Sequence, residues 1–303
     1  MLHHGIDLHK HTLMIGTVDS SGRVLKRQRM PTRRTELLEY FSSMRGPHRA
    51  VVKATGSWYW VADLFARNGI ELKLAHAKQL KAISAAKVKT DAVDSLTLAQ
   101  LLRADLIPEA HMLDSELRPY RDLLRTRLRL VQRRTSCKSQ IASLLTRYNQ
   151  PSVGELPPLP YLDASLYEEE IEQLLQQVLL PVPEVQRLLW IPGIGRKSAF
   201  TIYLEVGDIF RFASARKFFS YCRLVPGASN SGGKQRHKPS KEGNPYLKNA
   251  FRNVGLRAVQ NEPVVKAWYQ KKVRKKGKPI AQALVAKEIA RIAYHVLRDE
   301  VDF

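Results

Sequence analysis

The chain has few cysteines, a shortage of acidic residues and no long apolar run, and each shortage excludes a class of protein. Its 303 residues include only two cysteines, Cys137 and Cys222, which lie far apart in no CxxC or Cys/His spacing. Neither a zinc site nor a disulfide framework is therefore indicated, and a reducing cytoplasm fits. No stretch approaches the ~20 apolar residues that span a bilayer, and the opening MLHHGIDLHK lacks a cationic leader. We expect a soluble protein that is neither exported nor held in a membrane.

The shortage of acids leaves a large positive charge. Twenty-eight Asp and Glu stand against fifty Lys and Arg, which gives a formal net charge of +22. This charge exceeds what solubility requires, and a polyanionic partner, nucleic acid first of all, is the natural physical reason for it. A basic protein without such a partner is the alternative, and the clustering of the charge argues against it.

The first third of the chain alternates short β-rich segments with helical ones. Residues 5–30 are typical of a meander of three strands, broken by the turn Ser20-Ser21-Gly22. The segments that follow are a helix from Arg34 to Met44, the strand AVVKAT, a helix from about Ser57 to Arg67, the strand ELKLA and a helix beginning near Thr90. This order predicts an α/β layer of the ribonuclease-H type.

The middle of the chain reads as one long amphipathic helix from Glu116 to Tyr148. Between Arg118 and Arg147 its polar face carries nine basic residues against one acid, Asp122. A helix that faces phosphates and a helix with a solvated basic face both fit this pattern. The Pro-rich segment PSVGELPPLP ends the helix, and the acidic YEEEIEQLLQQVLL is expected to return as its antiparallel partner.

The last third opens on LLWIPGIGRKSAFTIYLEVGDIFRF, where Pro192 to Gly195 form a tight turn between two apolar helices. Such a turn is typical of a helix-hairpin-helix, whose glycine amides approach a nucleic-acid phosphate, and also of a plain turn between helices. The candidate contacts are Gly193, Gly195, Arg196 and Lys197. Further along, six of the eight residues from Lys271 to Lys278 are basic. They add Lys271, Lys272, Arg274, Lys275 and Lys276 as candidate nucleic-acid contacts.

Three aspartates are candidates for metal chemistry. Asp7 lies in the middle of the first strand, where a carboxylate is costly to bury unless it holds a cation or a proton. Asp91 and Asp94 lie three residues apart at the start of a helix, where capping alone also favours aspartate. Carboxylates converging from a first strand and a later helix fit cleavage of phosphodiesters by paired divalent cations. The histidines His3, His4, His9 and His11 are expected at the surface or behind the ligands, since this chemistry prefers oxygen.

Over nearly its whole length the chain resembles the DEDD-type transposases of bacterial insertion sequences, the insertion sequence 110 family, which is related to the Piv-type invertases. The resemblance is carried by GIDLHK, ATGSWYW, KTDAVDSLTLAQLLR, IPGIG with EVGDIFRF, and SGGK followed by KEGNPYLK. It implies a ribonuclease-H-like, Holliday-junction-resolvase-like (RuvC-like) α/β domain over residues 1–112 and a helical coiled-coil linker over 113–185. A mostly α-helical transposase domain with the helix-hairpin-helix follows over 186–303.

The resemblance also assigns roles to residues and partners. Asp7, Asp91 and Asp94 match the family's metal-binding acids, for Mg²⁺ or Mn²⁺, and Ser231 matches its nucleophilic serine, with Ser229 as the second choice. Ser231 lies in a Gly- and Asn-rich segment that is expected to be a loop. Around it, the basic side chains expected to hold the phosphate are Lys234, Arg236, Lys238 and Lys241. The implied partners are donor and target DNA, a structured noncoding guide RNA and further copies of the chain, as a dimer or tetramer. The implied location is the bacterial cytoplasm, at the nucleoid.

One position departs from the family pattern. Family members carry Glu in the block that reads VVKATG here, so Lys53 stands in place of the second acid. The lysine is expected to reduce the negative charge that divalent cations face and to remove one oxygen ligand; it is also placed to reach Asp7 or Asp94. Three explanations stay open: an inactivating substitution, an ammonium that replaces one metal ion, or a harmless lysine at a strand end with another acid nearby in the role of the missing Glu.

The expected activity is therefore DNA recombination, in which the acidic site and Ser231 lie in different domains and form a composite site. Ser231 would attack a DNA phosphate and form a covalent serine-DNA link that conserves bond energy for strand exchange. A structure-selective nuclease that uses water as nucleophile is one alternative. A catalytically inactive scaffold that binds RNA and DNA is the other.

Overall fold

The computed structural model describes residues 1–83, 91–149, 164–231, 234–238 and 242–303. The chain forms two compact units, Met1–Ser115 and Glu116–Phe303. Within the described ranges no helix is both long and apolar enough to cross a membrane.

The first unit is built on a five-stranded mixed sheet with the strand order β3-β2-β1-β4-β5. Its elements are β1 (Leu2–Leu8), β2 (Thr12–Val18), β3 (Val24–Pro31), α1 (Arg34–Ser42), β4 (His48–Lys53), α2 (Tyr59–Arg67), β5 (Glu71–Ala75), α3 (Ala77–Ile83) and α4 (Asp91–Arg103). The first three strands pair antiparallel as a meander, and β4 and β5 run parallel to β1.

Strand β1 is buried on both faces, and alternate residues along it pack against different helices. On one face, Ile6 packs in a cluster with Leu37 and Phe65 from α1 and α2. On the other face, Gly5 admits α4 so closely that a Cβ at this position would lie 2.0 Å from the carbonyl oxygen of Ser95. The glycine therefore fixes how near the helix that carries Asp94 lies to the strand that carries Asp7.

The second unit is mostly helical. Its elements are α5 (Arg118–Arg147), α6 (Ala164–Leu179), α7 (Pro183–Leu189), α8 (Arg196–Val206), α9 (Ala215–Tyr221), β6 (Gly227–Ser231), β7 (Lys234–Lys238), α10 (Pro245–Asn261), α11 (Pro263–Lys276) and α12 (Lys278–Arg298). Its core is a single cluster in which Phe200, Phe218 and Phe251 are fully buried, with Leu124 of α5 and Leu175 of α6 packed into it.

An α/β first unit followed by a mostly helical second unit confirms the predicted fold class at that level. The predicted long helix runs from Arg118 to Arg147, and α6 packs against it. The Pro-rich segment between them lies outside the described residues. The segment around Ser231, expected as a loop, instead forms the antiparallel hairpin β6–β7. Local pairing of its two halves gives the polar backbone partners that a loop would lack.

Candidate active site

Asp7 and Lys53 lie at the ends of neighbouring parallel strands. Strands β1 and β4 pair with Ile6 opposite Val52, so the next residue of each strand, Asp7 and Lys53, falls at the same edge of the sheet. By alternation both side chains point to the face that α4 covers. The first turns of α4 bring Asp94 to the same place.

Lys53 joins the two carboxylates. Its Nζ donates to Asp7 Oδ1 at 3.2 Å and to Asp94 Oδ2 at 2.8 Å. Of the three side chains, that of Asp7 is 8% exposed, that of Lys53 20% and that of Asp94 24%, so the cluster lies at the rim of the core. His9 Nε2 lies 3.3 Å from the second oxygen of Asp7.

Electrostatics favours the charged lysine at this position. Burial by itself disfavours the ammonium, yet the hydrogen bonds and charges of Asp94 and Asp7 outweigh it and raise the pKa of Lys53 above its ordinary value. Lys53 is therefore a permanent cation at neutral pH, placed where the two carboxylates offer oxygens to a positive charge.

This arrangement does not fit a pair of divalent cations. Such ions need several carboxylate oxygens around them, and here an ammonium takes one oxygen from each of Asp7 and Asp94. In the part of the chain that the structure describes, no group of three or more His, Cys, Asp or Glu side chains is arranged to hold a metal ion. Asp91 begins α4, but its side chain lies outside the described residues.

His4 lies neither at the surface nor behind the metal-binding acids, contrary to the expectation from sequence, and His3 is buried as well. His4 is fully buried on the face of the sheet away from Asp7, where its Nδ1 lies 2.8 Å from Thr17 Oγ1 and its Nε2 lies 3.0 Å from His48 Nδ1. Burial, and then the neighbouring His48 and His3, lower its pKa to about 3. His4 is thus a neutral residue of the core, and alternation along β1 explains its position.

Ser231 ends strand β6 in the second unit. Its backbone pairs with that of Lys234, and Ser229 pairs with Arg236 across the hairpin. For these residues and for Lys238 the structure describes the backbone, whereas Lys241 lies outside the described residues. The acidic cluster and Ser231 accordingly belong to different units.

A polar network centred on the buried Glu205 joins α5, α8 and the start of α10, and the sequence did not predict it. Glu205 of α8 accepts from Arg125 of α5 through two parallel bonds of 2.7 Å, from Nε to Oε1 and from Nη2 to Oε2. Asn244 Nδ2 donates to the same Oε2 at 2.7 Å. The only signal in the sequence was an acid inside the otherwise apolar run AFTIYLEV of α8.

The turn from Pro192 to Gly195 joins α7 to α8, as predicted. Gly193 has a φ of +84°, and a Cβ there would lie 2.9 Å from the carbonyl oxygen of Val254. The glycine is thus needed for packing against α10, whatever else its amide contacts. Next to it, Arg196 donates to Gln176 of α6 and Lys197 lies 2.9 Å from Glu172.

The basic helices α5 and α11 differ in how many of their charged side chains are buried or paired within the second unit. On α5, Arg118 and Arg127 are buried and Arg125 pairs with Glu205, so part of its basic series stabilises the unit. Helix α11 has no buried residue. Its candidate contacts Lys271, Arg274, Lys275 and Lys276 are exposed, while Lys272 lies 4.9 Å from the Trp268 ring.

Comparison with known proteins places these features in a family. A transposase model of the DEDD type for IS110 elements matches residues 4–150, and a model described as transposase of the IS116/IS110/IS902 family matches residues 185–270. Together they span most of the chain.

Full-length relatives agree. A probable family 20 transposase of Pseudomonas aeruginosa is 25% identical over 98% of this chain and 96% of its own length. The transposase for insertion sequence element IS1111A of Coxiella burnetii is 24% identical, over 97% of this chain and 88% of its own. The transposase for IS1328 of Yersinia enterocolitica is 24% identical, over 96% and 95%.

Proposed function

Because the chain belongs to the IS110 family of DEDD transposases, we propose that it acts on the DNA of an insertion sequence and that Lys53 suppresses the chemistry of its acidic site. Transposases bind DNA and recombine it, and the DEDD type generally depends on a divalent metal ion. In this chain the DNA-binding surfaces are kept, while the site for the cations is altered.

One observation carries the proposal: the Lys53 ammonium lies between Asp7 and Asp94 within hydrogen-bond distance of both. With the family's four carboxylates the bare site would carry four negative charges, whereas three carboxylates and one lysine leave two. A cation entering there has to displace a tethered ammonium and finds one oxygen ligand fewer. These contacts argue against a harmless strand-end lysine and support impaired metal binding.

The sheet supports the finer assignment of the first unit. An antiparallel meander β1–β3 flanked by the parallel strands β4 and β5, in the order β3-β2-β1-β4-β5, is what a ribonuclease-H-like, RuvC-like domain requires. We keep 1–112 as its bounds, 113–185 as the helical coiled-coil linker and 186–303 as the transposase domain with the helix-hairpin-helix.

Ser231 is proposed as the nucleophile. Its oxygen would form a bond to a DNA phosphorus while one bridging P–O bond breaks, and the serine proton would end on the released sugar oxygen. The basic residues Lys234, Arg236 and Lys238 follow it on β7, on the neighbouring strand of the same hairpin, which supports a phosphate at this position. Lys241 completes the proposed set.

The remaining partners are proposed on charge. The net charge of +22 and the exposed basic end of α11 support binding of donor and target DNA and of a structured guide RNA. A serine and an acidic cluster in different units favour an assembly of two or four copies in which the composite site forms. Sequencing the nucleic acid that copurifies with the protein tests the RNA, since a discrete structured species is expected.

The function is tested by reversing the substitution. Lys53→Glu should allow the protein to form a covalent adduct with element-end DNA in Mg²⁺, visible as a band of reduced mobility after denaturation. Lys53→Gln is the matched control, because it removes the ammonium without adding a carboxylate. Lys53→Glu combined with Ser231→Ala should form no adduct.

Other outcomes identify the alternatives. Hydrolysis of DNA by Lys53→Glu that survives Ser231→Ala would replace the recombinase with a nuclease that uses water. Tight binding of DNA and RNA without any cleavage by Lys53→Glu would leave a scaffold, and our account of Lys53 would be wrong.

A further inference from the structure

Outside the hairpin β6–β7, residues 221–223 on its N-terminal side contact residues 243–244 on its C-terminal side. The Asn244 amide donates to the Tyr221 carbonyl at 2.6 Å, and Arg223 Nε donates to the Gly243 carbonyl at 2.8 Å. Gly243 has a φ of +98°, and a Cβ there would lie 2.4 Å from the Tyr221 carbonyl oxygen. The two ends of the segment are therefore held together by a junction that admits no side chain at position 243.

Asn244 belongs at once to this junction and to helix α10. Its Oδ1 accepts from the amides of Tyr246 and Leu247, which caps the first turn of α10. Its Nδ2 donates to Glu205 Oε2, and the Tyr221 hydroxyl lies 3.4 Å from the Glu205 carbonyl oxygen. Glu205 thus contacts one end of the hairpin segment through its carboxylate and the other end through its backbone carbonyl.

Glu205 is set firmly in place. Its side chain is 1% exposed, and the two-pronged bond from Arg125 fixes both its position and its plane. A buried ion pair contributes little more stability than apolar residues of the same volume, whereas it demands one geometry. A carboxylate at this position therefore fixes how α5, α8 and the start of α10 meet.

We propose that Glu205 is a positioning residue that holds the base of the β6–β7 hairpin and so orients Ser231, with Arg125 linking that base to the long helix α5. The role of Ser231 as nucleophile rests on the proposed function, whereas the anchoring of the hairpin by Glu205 does not depend on it. Glu205 acts through Asn244.

Amide hydrogen exchange on the full-length protein tests the anchor without any activity. Asn244→Asp keeps the oxygen that caps α10 and sets a second carboxylate against Glu205. Glu205→Gln keeps the shape and removes the charge. Both should speed exchange in residues 227–238 by at least about tenfold more than in the core of α12, since each removes a charge-assisted hydrogen bond at the hairpin base.

Glu172→Gln is the matched control. It weakens the contacts of Glu172 on α6 with Arg127 of α5 and Lys197 of α8, but it leaves the hairpin base intact, so exchange in 227–238 should not change. Exchange that rises equally throughout the second unit would make Glu205 a purely structural residue and overturn the proposal. A hairpin that already exchanges at the unprotected rate in the parent would also overturn it.

A second readout separates positioning from binding. In the Lys53→Glu background, Asn244→Asp should lower the rate of adduct formation by about tenfold or more with little change in the DNA concentration that gives half the maximal rate. A change in that concentration alone would contradict the positioning role. If the Lys53→Glu parent forms no adduct, the proposed function fails, and the exchange result still decides the role of Glu205.

Discussion

The cluster of Asp7, Lys53 and Asp94 in the first unit and the cluster of Arg125, Glu205 and Asn244 in the second are built in opposite ways. In the first unit, a lysine lies between two carboxylates at the rim of the core, where the lysine and Asp94 are a fifth to a quarter exposed. In the second unit, a carboxylate that is 1% exposed lies between an arginine and an amide that also caps a helix. The two clusters therefore differ in how deeply they are buried and in how completely their charges are paired.

This difference indicates which of the two clusters contributes to the stability of the fold. Glu205 and Arg125 cancel in charge, and both Glu205 oxygens are bonded, so removing the carboxylate takes away three hydrogen bonds that join α5, α8 and the start of α10. Asp7, Lys53 and Asp94 carry one net negative charge, and Lys53 and Asp94 reach solvent, so this cluster is less completely paired than a buried structural ion pair. The first cluster is expected to tolerate change that the second does not.

Removal of the buried carboxylate should give the largest effect. Glu205→Ala removes a buried carboxylate together with the two-pronged bond from Arg125 and the bond from the Asn244 amide, and the free energy of unfolding of the second unit should fall by about 3–5 kcal/mol. Urea denaturation measures it. Glu288→Ala removes an exposed ion pair to Arg291 on α12 and should cost about 0.5 kcal/mol or less. Similar losses for the two variants would erase the contrast.

A substitution that pushes α4 away from β1 should give the next largest loss of stability. Gly5→Ala forces a methyl group into the Ser95 carbonyl, so the helix must shift, and the first unit should lose about 3 kcal/mol of stability. The shift moves Asp94 away from Asp7. Gly56→Ala is the control, because a Cβ there meets nothing within 4 Å, and its effect should stay within about 0.5 kcal/mol. A neutral Gly5→Ala would show that α4 is not held at this distance.

Lowering the pH should destabilise the first unit more than the second, by less than either of the two substitutions above. His4 is neutral in the folded state, where its pKa is about 3, and it takes up a proton near pH 6.5 when the chain unfolds. The unfolded state then binds more protons, so stability is lost as the pH falls below 6.5. At pH 5 the loss in the first unit should be about 2 kcal/mol.

Urea denaturation at pH 7 and pH 5 measures this loss. His3 and His48 also have lowered pKa values, chiefly through burial, and add in the same direction. The second unit has no buried histidine among the residues whose side chains the structure describes, and it should lack this loss. His4→Gln should reduce the pH dependence of the first unit, and an unchanged slope would show that His4 is not its source.

The sequence predicted the first unit well because its signals are local. Alternation in GIDLHK placed Asp7 on one face of a strand, and the run AVVK placed Lys53 at the end of another. Neighbouring parallel strands end at the same edge of a sheet, so the Asp7 and Lys53 side chains come together there. The fold class therefore predicts the contact of Lys53 with Asp7 or Asp94. His4 was misplaced because both faces of β1 are covered, which alternation alone does not reveal.

The second unit was harder to predict because its contacts join distant segments. Glu205 meets Arg125, 80 residues earlier, and Asn244, 39 residues later, and no local pattern indicates either partner. Arg125 was counted among the basic residues of a helix face that could meet phosphate, since charge alone does not separate an internal ion pair from an external one. The hairpin was missed because Gly, Ser and Asn favour loops.

Calorimetric titration of Mg²⁺ into the parent, Lys53→Glu and Lys53→Gln tests the central claim most directly. The claim is that the ammonium of Lys53 stands where a cation would bind. Lys53→Glu should bind Mg²⁺ at least about tenfold more tightly than the parent, with Lys53→Gln between them, because the first gains a carboxylate and both lose the competing charge. Equal affinity in all three proteins, or tightest binding by the parent, would contradict the account.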